Sequence, residues 1–531
     1  MAVGSRALVD DHATASSRPR RPRRGGFLRR HIWLIAFLVA ALGIGELPRL
    51  LSTCCAPAGD TGFGTAWFVS DFAQYESAMR QGGEQPGWLI RDPFTAEPHS
   101  TAFIFPLYVG IGKLAATLSL PPTLVEQIVE VLARALLVFA LWRFCRAFAR
   151  GKEAARWAFG LALFASGFEL FALLVRGGYQ GGWSYEMNGL GLLFAAPHVP
   201  LAMAATLELA RDLLRPTKKS GGWWLLKVAA LSAAISLLQP FHLPILLAAA
   251  VCAALSFWLT RHSLSNLIGA LVAIGAALPV LALNLTTFSL DPFWATTYSL
   301  QNLLPSPAPH ELLVDLGLTL VLALLGAYAL RGRVAPFGLV LWLLLALVAM
   351  YLPVPYQRRL SFGVLPMLSV LAANTLMAAC VRLGPRRAVG LRLATLAVAA
   401  SSTALVLVGV LDSGIHNTPL PVYRSTTDLD AAAAWLNTQA TSDDVIMADW
   451  DASNYLAART PAREYGGHAV ATLHPAQKRF AIATVFAHPS SLIVARQLGA
   501  QWLVYGPEEA GIPSPPDPAF QSGAVKVYRI G

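Results

Sequence analysis

The residues able to do chemistry in this sequence are few and come in short groups. Asp71, Tyr75 and Glu76 stand at i, i+4 and i+5, a spacing that puts three polar groups on one helical face. Asp is also a favoured N-cap, so Asp71 reads equally as the cap of a helix that follows it. Arg91 and Asp92 lie in the same polar stretch, with Asp60, Arg80, Trp88, Glu97 and His99 around them. Far along the chain, Arg358 and Arg359 stand side by side in Pro353-Val354-Pro355-Tyr356-Gln357-Arg358-Arg359. A guanidinium fork suits a phosphate bidentately, and the competing reading is an anchor that snorkels to a membrane surface. Arg134 lies deep in an apolar run with Glu130 one turn earlier. That pair reads as a salt bridge or, more sharply, as a contact to a lipid phosphate. His198 and His242 each stand beside prolines, either touching a substrate or capping and packing. His and Asp fall at no recognisable metal spacing. The cysteines add nothing: Cys54 and Cys55 are adjacent, and Cys145, Cys252 and Cys380 sit in or beside apolar runs, where a thiol behaves as a small hydrophobe.

The elements that must position these residues are set by composition. Of 531 residues, 55% are hydrophobic and 13% charged, and the mean hydropathy is +0.53. Soluble chains carry about 25% charged residues, so the solvent for most of this chain is lipid. The net charge of +11 sits in short basic clusters between apolar runs, the pattern of the positive-inside rule rather than of nucleic-acid binding. The expected fold is mainly α, a polytopic membrane bundle of about eleven transmembrane helices. Residues 1–30 form a disordered basic cytoplasmic tail carrying Arg18–Arg24, and 31–411 the bundle, with an outer loop at 52–123. The spans are 32–51, 124–146, 157–175, 190–210, 223–239, 241–260, 267–285, 312–330, 336–353, 361–380 and 393–411. Phe103–Leu120, with Pro106 and Lys113, reads as a juxtamembrane or re-entrant helix, because about 20 residues are needed to cross. This arrangement places Arg143, Arg146, Arg150, Lys152, Arg156, Arg211, Arg215, Lys218, Lys219, Arg261, Arg331, Arg333, Arg382, Arg386, Arg387 and Arg392 inside. Arg176, Arg358 and Arg359 fall outside, together with Tyr179, Trp183, Tyr185, Glu186, Asn188, Asp291, Trp294 and His310.

Residues 412–531 then read as a small extracytoplasmic α/β domain. Helices are expected at Asp428–Gln439, His474–Phe486 and Ser490–Leu498, and strands at Val445–Ala448, Trp502–Tyr505 and Val525–Ile530. Asp449, Asp451 and His468 look scattered, and such residues in turns are usually solvated. The domain is expected to help bind an acceptor or a partner.

Ser70-Asp71-Phe72-Ala73-Gln74-Tyr75, a Gly-Gly turn at Gly82-Gly83, the Arg91-Asp92-Pro93-Phe94 run and the Phe105-Pro106-Leu107-Tyr108 helix resemble the first outer loop of GT-C superfamily membrane glycosyltransferases. The order of parts is similar too: one span, a long outer loop, many spans and a C-terminal extracytoplasmic domain, as in the dolichyl-phosphate-mannose-dependent protein mannosyltransferases. The resemblance implies an enzyme of the plasma membrane that takes a sugar from a polyprenyl-phosphate donor. It implies that Asp71 deprotonates the acceptor hydroxyl, an acceptor on a glycan, lipid or protein, and cations that hold the lipid phosphate as it leaves. Tyr75, Glu76, Arg91, Asp92, Arg134, His198, His242, Arg358 and Arg359 are then expected to bind substrate. The family often shows two neighbouring acidic residues where this chain has Asp71 alone. Some members use a divalent ion, and no spacing here decides for or against one. Two other classes compete: a flippase or transporter of lipid-linked sugars, and an envelope assembly protein that keeps the scaffold without the chemistry.

Overall fold

The structure, a computed structural model, describes residues 26–55, 58–62, 69–176, 186–218, 221–329, 337–416, 424–509 and 511–531. The tail arginines Arg18–Arg24, Lys219, Arg331, Arg333, Tyr179, Trp183 and Tyr185 lie outside the described residues, as do the side chains of Asp60 and Arg176. The described residues divide into two units between Ala40 and Ala41. The first contributes the opening of α1 (Gly26–Cys54), where Trp33 and Phe37 meet edge to face one turn apart.

In the second unit, α1 continues into the polar segment that holds β1 (Asp60–Gly62), α2 (Val69–Glu84) and α3 (Pro106–Leu118). Helix α3 starts at a proline and has 13 residues, too few to cross a bilayer. It lies along α2 with the two backbones in contact. A Cβ on Gly82 would clash with the Val109 carbonyl oxygen, and one on Gly112 with that of Met79. Gly82 and Gly83 are therefore not a turn but part of α2, placed there so that α3 can approach. The Lys113 ammonium closes the pair by donating to the Gln85 and Pro86 carbonyls at 2.7 and 3.0 Å, at the end of α2.

The bundle follows as α4 (Pro122–Phe148), α5 (Lys152–Phe164), α6 (Glu169–Arg176), α7 (Gly189–Phe194), α8 (His198–Leu213), α9 (Gly222–Leu238), α10 (Leu243–Arg261), α11 (Ser265–Leu290), α12 (Pro292–Ala295), α13 (Pro309–Ala329), α14 (Phe337–Ala349), α15 (Val364–Arg382), α16 (Pro385–Ala399) and α17 (Ser401–His416). Among the described residues, five helical segments are long and apolar enough to cross a membrane on their own: Ile32–Cys54, Pro240–Arg261, Ser265–Leu290, Pro309–Ala327 and Gln357–Arg382. The number becomes seven if the bent pairs α5–α6 and α16–α17 each count as one span. Exposed Leu and Ile side chains on these helices, such as Leu259, Leu271 and Leu285, face outward as they would toward lipid. The chain is a helical membrane protein.

The two bends meet each other and a third interruption, at Gly317 of α13. Ser166 N–H donates to the Ala399 carbonyl at 2.7 Å, and Phe168 N–H to that of Val314 at 2.7 Å. Thr403 N–H donates to Ser166 Oγ at 2.9 Å. Each break thus satisfies the backbone groups freed by the next, which is what apolar surroundings demand.

Past α17, β2 (Arg424–Thr426) runs antiparallel to β1, tying the segment before α2 to the C-terminal region. There α18 (Thr427–Gln439), β3 (Val445–Met447), α19 (Trp450–Arg459), β4 (Arg463–Glu464), α20 (Pro475–Ala487), α21 (Ser491–Gln497), β5 (Trp502–Tyr505), β6 (Phe520–Ser522) and β7 (Val525–Arg529) build a sheet of order β4-β3-β5-β7-β6. Strand β3 is parallel to β4 and β5, and β7 is antiparallel to β5 and β6. Helix α18 is capped by Thr426, whose hydroxyl accepts from Leu429 N–H, and not by Asp428. Its Leu429 and Leu436 pack on Ile446, Val504, Val525 and Val527, one face of the sheet. Met447, Leu503 and Tyr528 face α20 and α21 on the other.

Candidate active site

Helix α2 is the element on which the site is built, and it is held from both sides. Helix α3 packs along it as described. On the other side the C-terminal region grips it: Arg459 reaches Glu76 at 2.9 Å, Arg80 donates to the Ala458 carbonyl at 3.2 Å, and Asn454 donates to that of Ser70 at 3.4 Å. The segment between α2 and α3 is gripped as well. Arg463 donates to the Ala96 carbonyl at 2.5 Å, Thr472 Oγ1 to that of Phe94 at 2.7 Å, and the buried Lys478 ammonium meets Glu97 at 2.6 Å. Asp71, in the first turn of α2, is thereby fixed with its side chain about half exposed, facing a cavity of about 350 Å³. That volume is at the lower end of the range for ligand pockets, about 300–1,000 Å³.

Five of the residues singled out in the sequence line this cavity: Asp71, Tyr75, His198, Arg358 and Arg359. Tyr75 stacks on Tyr108 with ring centroids 4.2 Å apart and planes within 6°. The Tyr108 hydroxyl lies 2.8 Å from His198 Nδ1, at the start of α8. Arg358 and Arg359 enter from a short 3₁₀ turn after α14, pinned where Leu304 N–H donates to the Pro355 carbonyl at 2.7 Å and Arg358 N–H to that of Leu304 at 3.1 Å. Arg358 has one carboxylate partner, Glu186, fully buried and 3.3 Å from its Nε. Arg359 lies over the Phe241 ring at 5.1 Å, and among the described residues no carboxylate pairs with it. The cavity therefore carries surplus positive charge near one wall and a carboxylate, Asp71, near another. Arginine spread over an aromatic face is weakly hydrated and ready to take an anion.

The other sequence candidates stand outside the cavity. Glu76 turns to Arg459, and burial pushes its carboxyl above the usual range against the pull of that guanidinium. Arg91 is half exposed, 3.9 Å from the exposed Asp443. Asp92 is 2% exposed, accepting from Phe94 N–H at 2.8 Å and lying 3.2 Å from the Tyr298 hydroxyl. Its carboxyl is pushed up to about 7 because it is buried, with the Phe94 N–H and His468 opposing. Arg134 is closed off: it pairs with Glu46 and, at 2.5 Å, with Glu130, and donates to the Leu193 carbonyl at 2.6 Å. The salt bridge read from the sequence is present, enlarged by Glu46, and Gly45 leaves the space that the guanidinium fills. His242 is buried against Thr206 Oγ1 at 3.0 Å and the Phe362 ring. Asp291 and Asn188 are N-caps, of α12 and α7. Among the described residues, no group of three or more His, Cys, Asp or Glu side chains could hold a metal ion.

The residue that sequence reasoning missed is His468. Far from being solvated in a turn, it is 2% exposed and lines the cavity, with Nε2 3.4 Å from Asp71 Oδ1. The Gln74 amide nitrogen lies 2.5 Å from His468 Nε2, and the Tyr298 hydroxyl donates to Gln74 Oε1 at 3.0 Å. No local signal marks His468 beyond the preceding Gly466-Gly467, because its partner lies almost four hundred residues earlier in the chain.

No protein-family model and no curated protein matches the sequence. Solved structures do. The apo oligosaccharyltransferase of Archaeoglobus fulgidus superposes with a TM-score of 0.53 at 13% identity, over 91% of this chain and 70% of that one. The mycobacterial arabinofuranosyltransferase AftD superposes with a TM-score of 0.53 at 17% identity, over 94% of this chain. The chain spans only 40% of AftD's length. Identities this low establish fold, and both proteins share one. The resemblance drawn from the segment around Asp71 and this superposition agree: the chain has the GT-C fold of polytopic membrane glycosyltransferases.

Proposed function

We propose that this protein is a glycosyltransferase that moves a sugar from a polyprenyl-phosphate donor to an acceptor hydroxyl at the outer face of the plasma membrane. The observation that carries the reading is the cavity that Asp71 lines together with Arg358 and Arg359. In this reading the chain crosses the membrane about eleven times. Its N-terminus is cytoplasmic, and the cavity and the C-terminal domain are extracytoplasmic, as the distribution of basic loops supports.

The chemistry follows from the charges. Asp71 takes the proton of the acceptor hydroxyl as that oxygen attacks the anomeric carbon. The bond from that carbon to the phosphate oxygen breaks on the opposite face, with inversion, and its electron pair leaves with the phosphate. Arg358 and Arg359 hold the phosphate and stabilise the charge gained at the leaving oxygen. Phosphate is already a good leaving group, so a cationic wall serves better than an acid. Glu186 keeps Arg358 extended into the cavity until the phosphate arrives.

The test uses protein in nanodiscs, radiolabelled polyprenyl-phosphate sugars and a membrane extract as acceptor. Label should leave the lipid with wild type and not with Asp71→Asn. A folded wild type that consumes no donor would sink the reading and return attention to flipping or to scaffolding.

A further inference from the structure

Helix α3 opens on a residue that no local rule favours. Phe105 is its N-cap, and the Phe105 carbonyl accepts from Tyr108 N–H at 2.9 Å and from Val109 N–H at 3.1 Å. A cap is usually Ser, Thr, Asp or Asn in extended backbone, with a side chain that accepts an N–H of the first turn. Phe105 makes no such bond, and its backbone is left-handed, with φ 51° and ψ 44°. That region crowds any Cβ, and Pro106 pushes the residue before it toward extended backbone. Glycine would adopt the conformation freely, and asparagine would both tolerate it and offer a capping oxygen. What phenylalanine adds at this position is a ring, and backbone strain of this kind gathers where a ligand is held.

Phe105 is part-buried and lines the cavity that Asp71 lines. Its ring meets that of Tyr75 at 5.4 Å between centroids and 79° between planes, and that of Tyr298 at 6.2 Å and 62°. Tyr75 stands one turn after Asp71 on α2, and the Tyr298 hydroxyl bonds Gln74 on the same helix, so Phe105 belongs to the wall that carries Asp71. The arginine pair enters from a different element. Tyr75 already has Tyr108 stacked on it, whereas among the described residues no ring lies parallel to Phe105. We propose that Phe105 is a binding residue for the donor's sugar, an aromatic platform on which the sugar lies by the face where its C–H bonds point. A sugar is polar around its rim and apolar on that face, so it suits a flat ring set among a few polar groups. A phosphate has no apolar face to offer. The left-handed backbone fixes the direction in which the side chain leaves the chain, and the platform is what the strain positions. The inference deepens the glycosyltransferase reading and rests on it for the nature of the ligand, but not for the strain or for the place of the ring.

The test is binding, in full-length protein in nanodiscs, of undecaprenyl-phosphoryl mannose, glucose and arabinose, each against undecaprenyl phosphate without a sugar. Phe105→Leu keeps apolar bulk, so the fold survives, but it removes the flat face. It should weaken the tightest of the three sugar lipids by about 10-fold, the scale of one aromatic contact, and leave undecaprenyl phosphate unchanged. Phe105→Tyr, which keeps the ring, should recover most of the loss. Equal weakening of both kinds of lipid would give the ring to the prenyl chain or to the shape of the cavity and overturn the proposal. So would an unchanged affinity in Phe105→Leu, or a wild type that binds no sugar lipid more tightly than undecaprenyl phosphate. A second pair of variants tests the strain itself. Phe105→Gly should unfold at a higher temperature than Phe105→Ala, because both lack the ring and only alanine pays for the left-handed backbone. The reverse order removes the premise and overturns the proposal. A wild type that shows the expected binding pattern but transfers no sugar leaves the platform standing and loses the glycosyltransferase reading alone.

Discussion

Two places in this molecule bring arginine into partly buried surroundings, and they do it in opposite ways. Around Arg134, each guanidinium has its anions: Glu46 and Glu130 close on Arg134, and Glu46 also closes on Arg49. The Leu193 carbonyl takes a further N–H, and none of these side chains lines the cavity beside Asp71. Around Arg358 and Arg359, among the described residues, one buried carboxylate pairs with Arg358 and none with Arg359, and both arginines line a cavity. Charge placed in a low dielectric must be compensated. Where the protein compensates it fully, the group is architecture. Where it leaves charge over beside a cavity, a ligand completes the balance.

The largest effects should come from breaking that contrast at its centre. Asp71→Asn keeps size and most contacts but removes the base, so sugar transfer should fall by about 10²–10⁴-fold while the thermal midpoint moves little. Equal loss of stability and activity would mean that Asp71 is a structural residue. Arg134→Met makes the opposite prediction. Leaving Glu46 and Glu130 with only the neighbouring Arg49 should cost about 3–5 kcal/mol, read as a large drop in the unfolding midpoint, while any molecules that remain folded bind donor normally. Arg359→Ala should sharpen the difference further. It removes a charge that no carboxylate among the described residues pairs with, at the loss of one contact to the Phe241 ring, so folding should survive while donor binding weakens by about 10-fold or more, the scale of one charge-assisted contact. Donor affinity unchanged in Arg359→Ala would transfer the phosphate role to Arg358 or remove it altogether.

Much of this was legible in the residues. The apolar runs are helical apart from a break between α7 and α8 among the described residues, the Glu130–Arg134 pair forms, and the three helices and three strands expected in the C-terminal region lie within a residue or two of where periodicity put them, whereas α19, β2, β4 and β6 were not expected. Asp71, Tyr75, Arg358 and Arg359 meet in one cavity because a local rule marks each: helical spacing for the first two, and a violated charge bias for the arginine pair. What failed were inferences that needed long-range contacts. Glu76 looked like a partner of Asp71 on one face, but α19 supplies Arg459 and turns it away. Gly82-Gly83 looked like a turn because two glycines often make one, whereas here the missing side chains are what α3 packs against. His468 carried no sign of its role, since an imidazole in a glycine-rich loop becomes a site residue only when a helix four hundred residues earlier is laid beside it.

Asp92 gives the finest version of the comparison, because it is a buried acid near the cavity with no cationic group in direct contact. Burial raises its carboxyl from the usual carboxylate range to about 7, with the Phe94 N–H, His468, Tyr298 and the more distant Lys478 pulling the other way. A folded-state value above the unfolded one means that folding is favoured at low pH and that this contribution is lost as pH rises through about 7. Between pH 6 and pH 8 the loss should be about 1.4 kcal/mol. Asp92→Asn cannot titrate, so its stability should fall less than that of wild type across the same interval. Groups common to both proteins, among them His99 and Lys478, cancel in the difference. Thermal unfolding of both proteins in nanodiscs at pH 6 and pH 8 measures it. Parallel curves would show that Asp92 keeps an ordinary carboxyl, and that the hydrogen bonds from Phe94 and Tyr298 compensate it as fully as glutamates compensate Arg134.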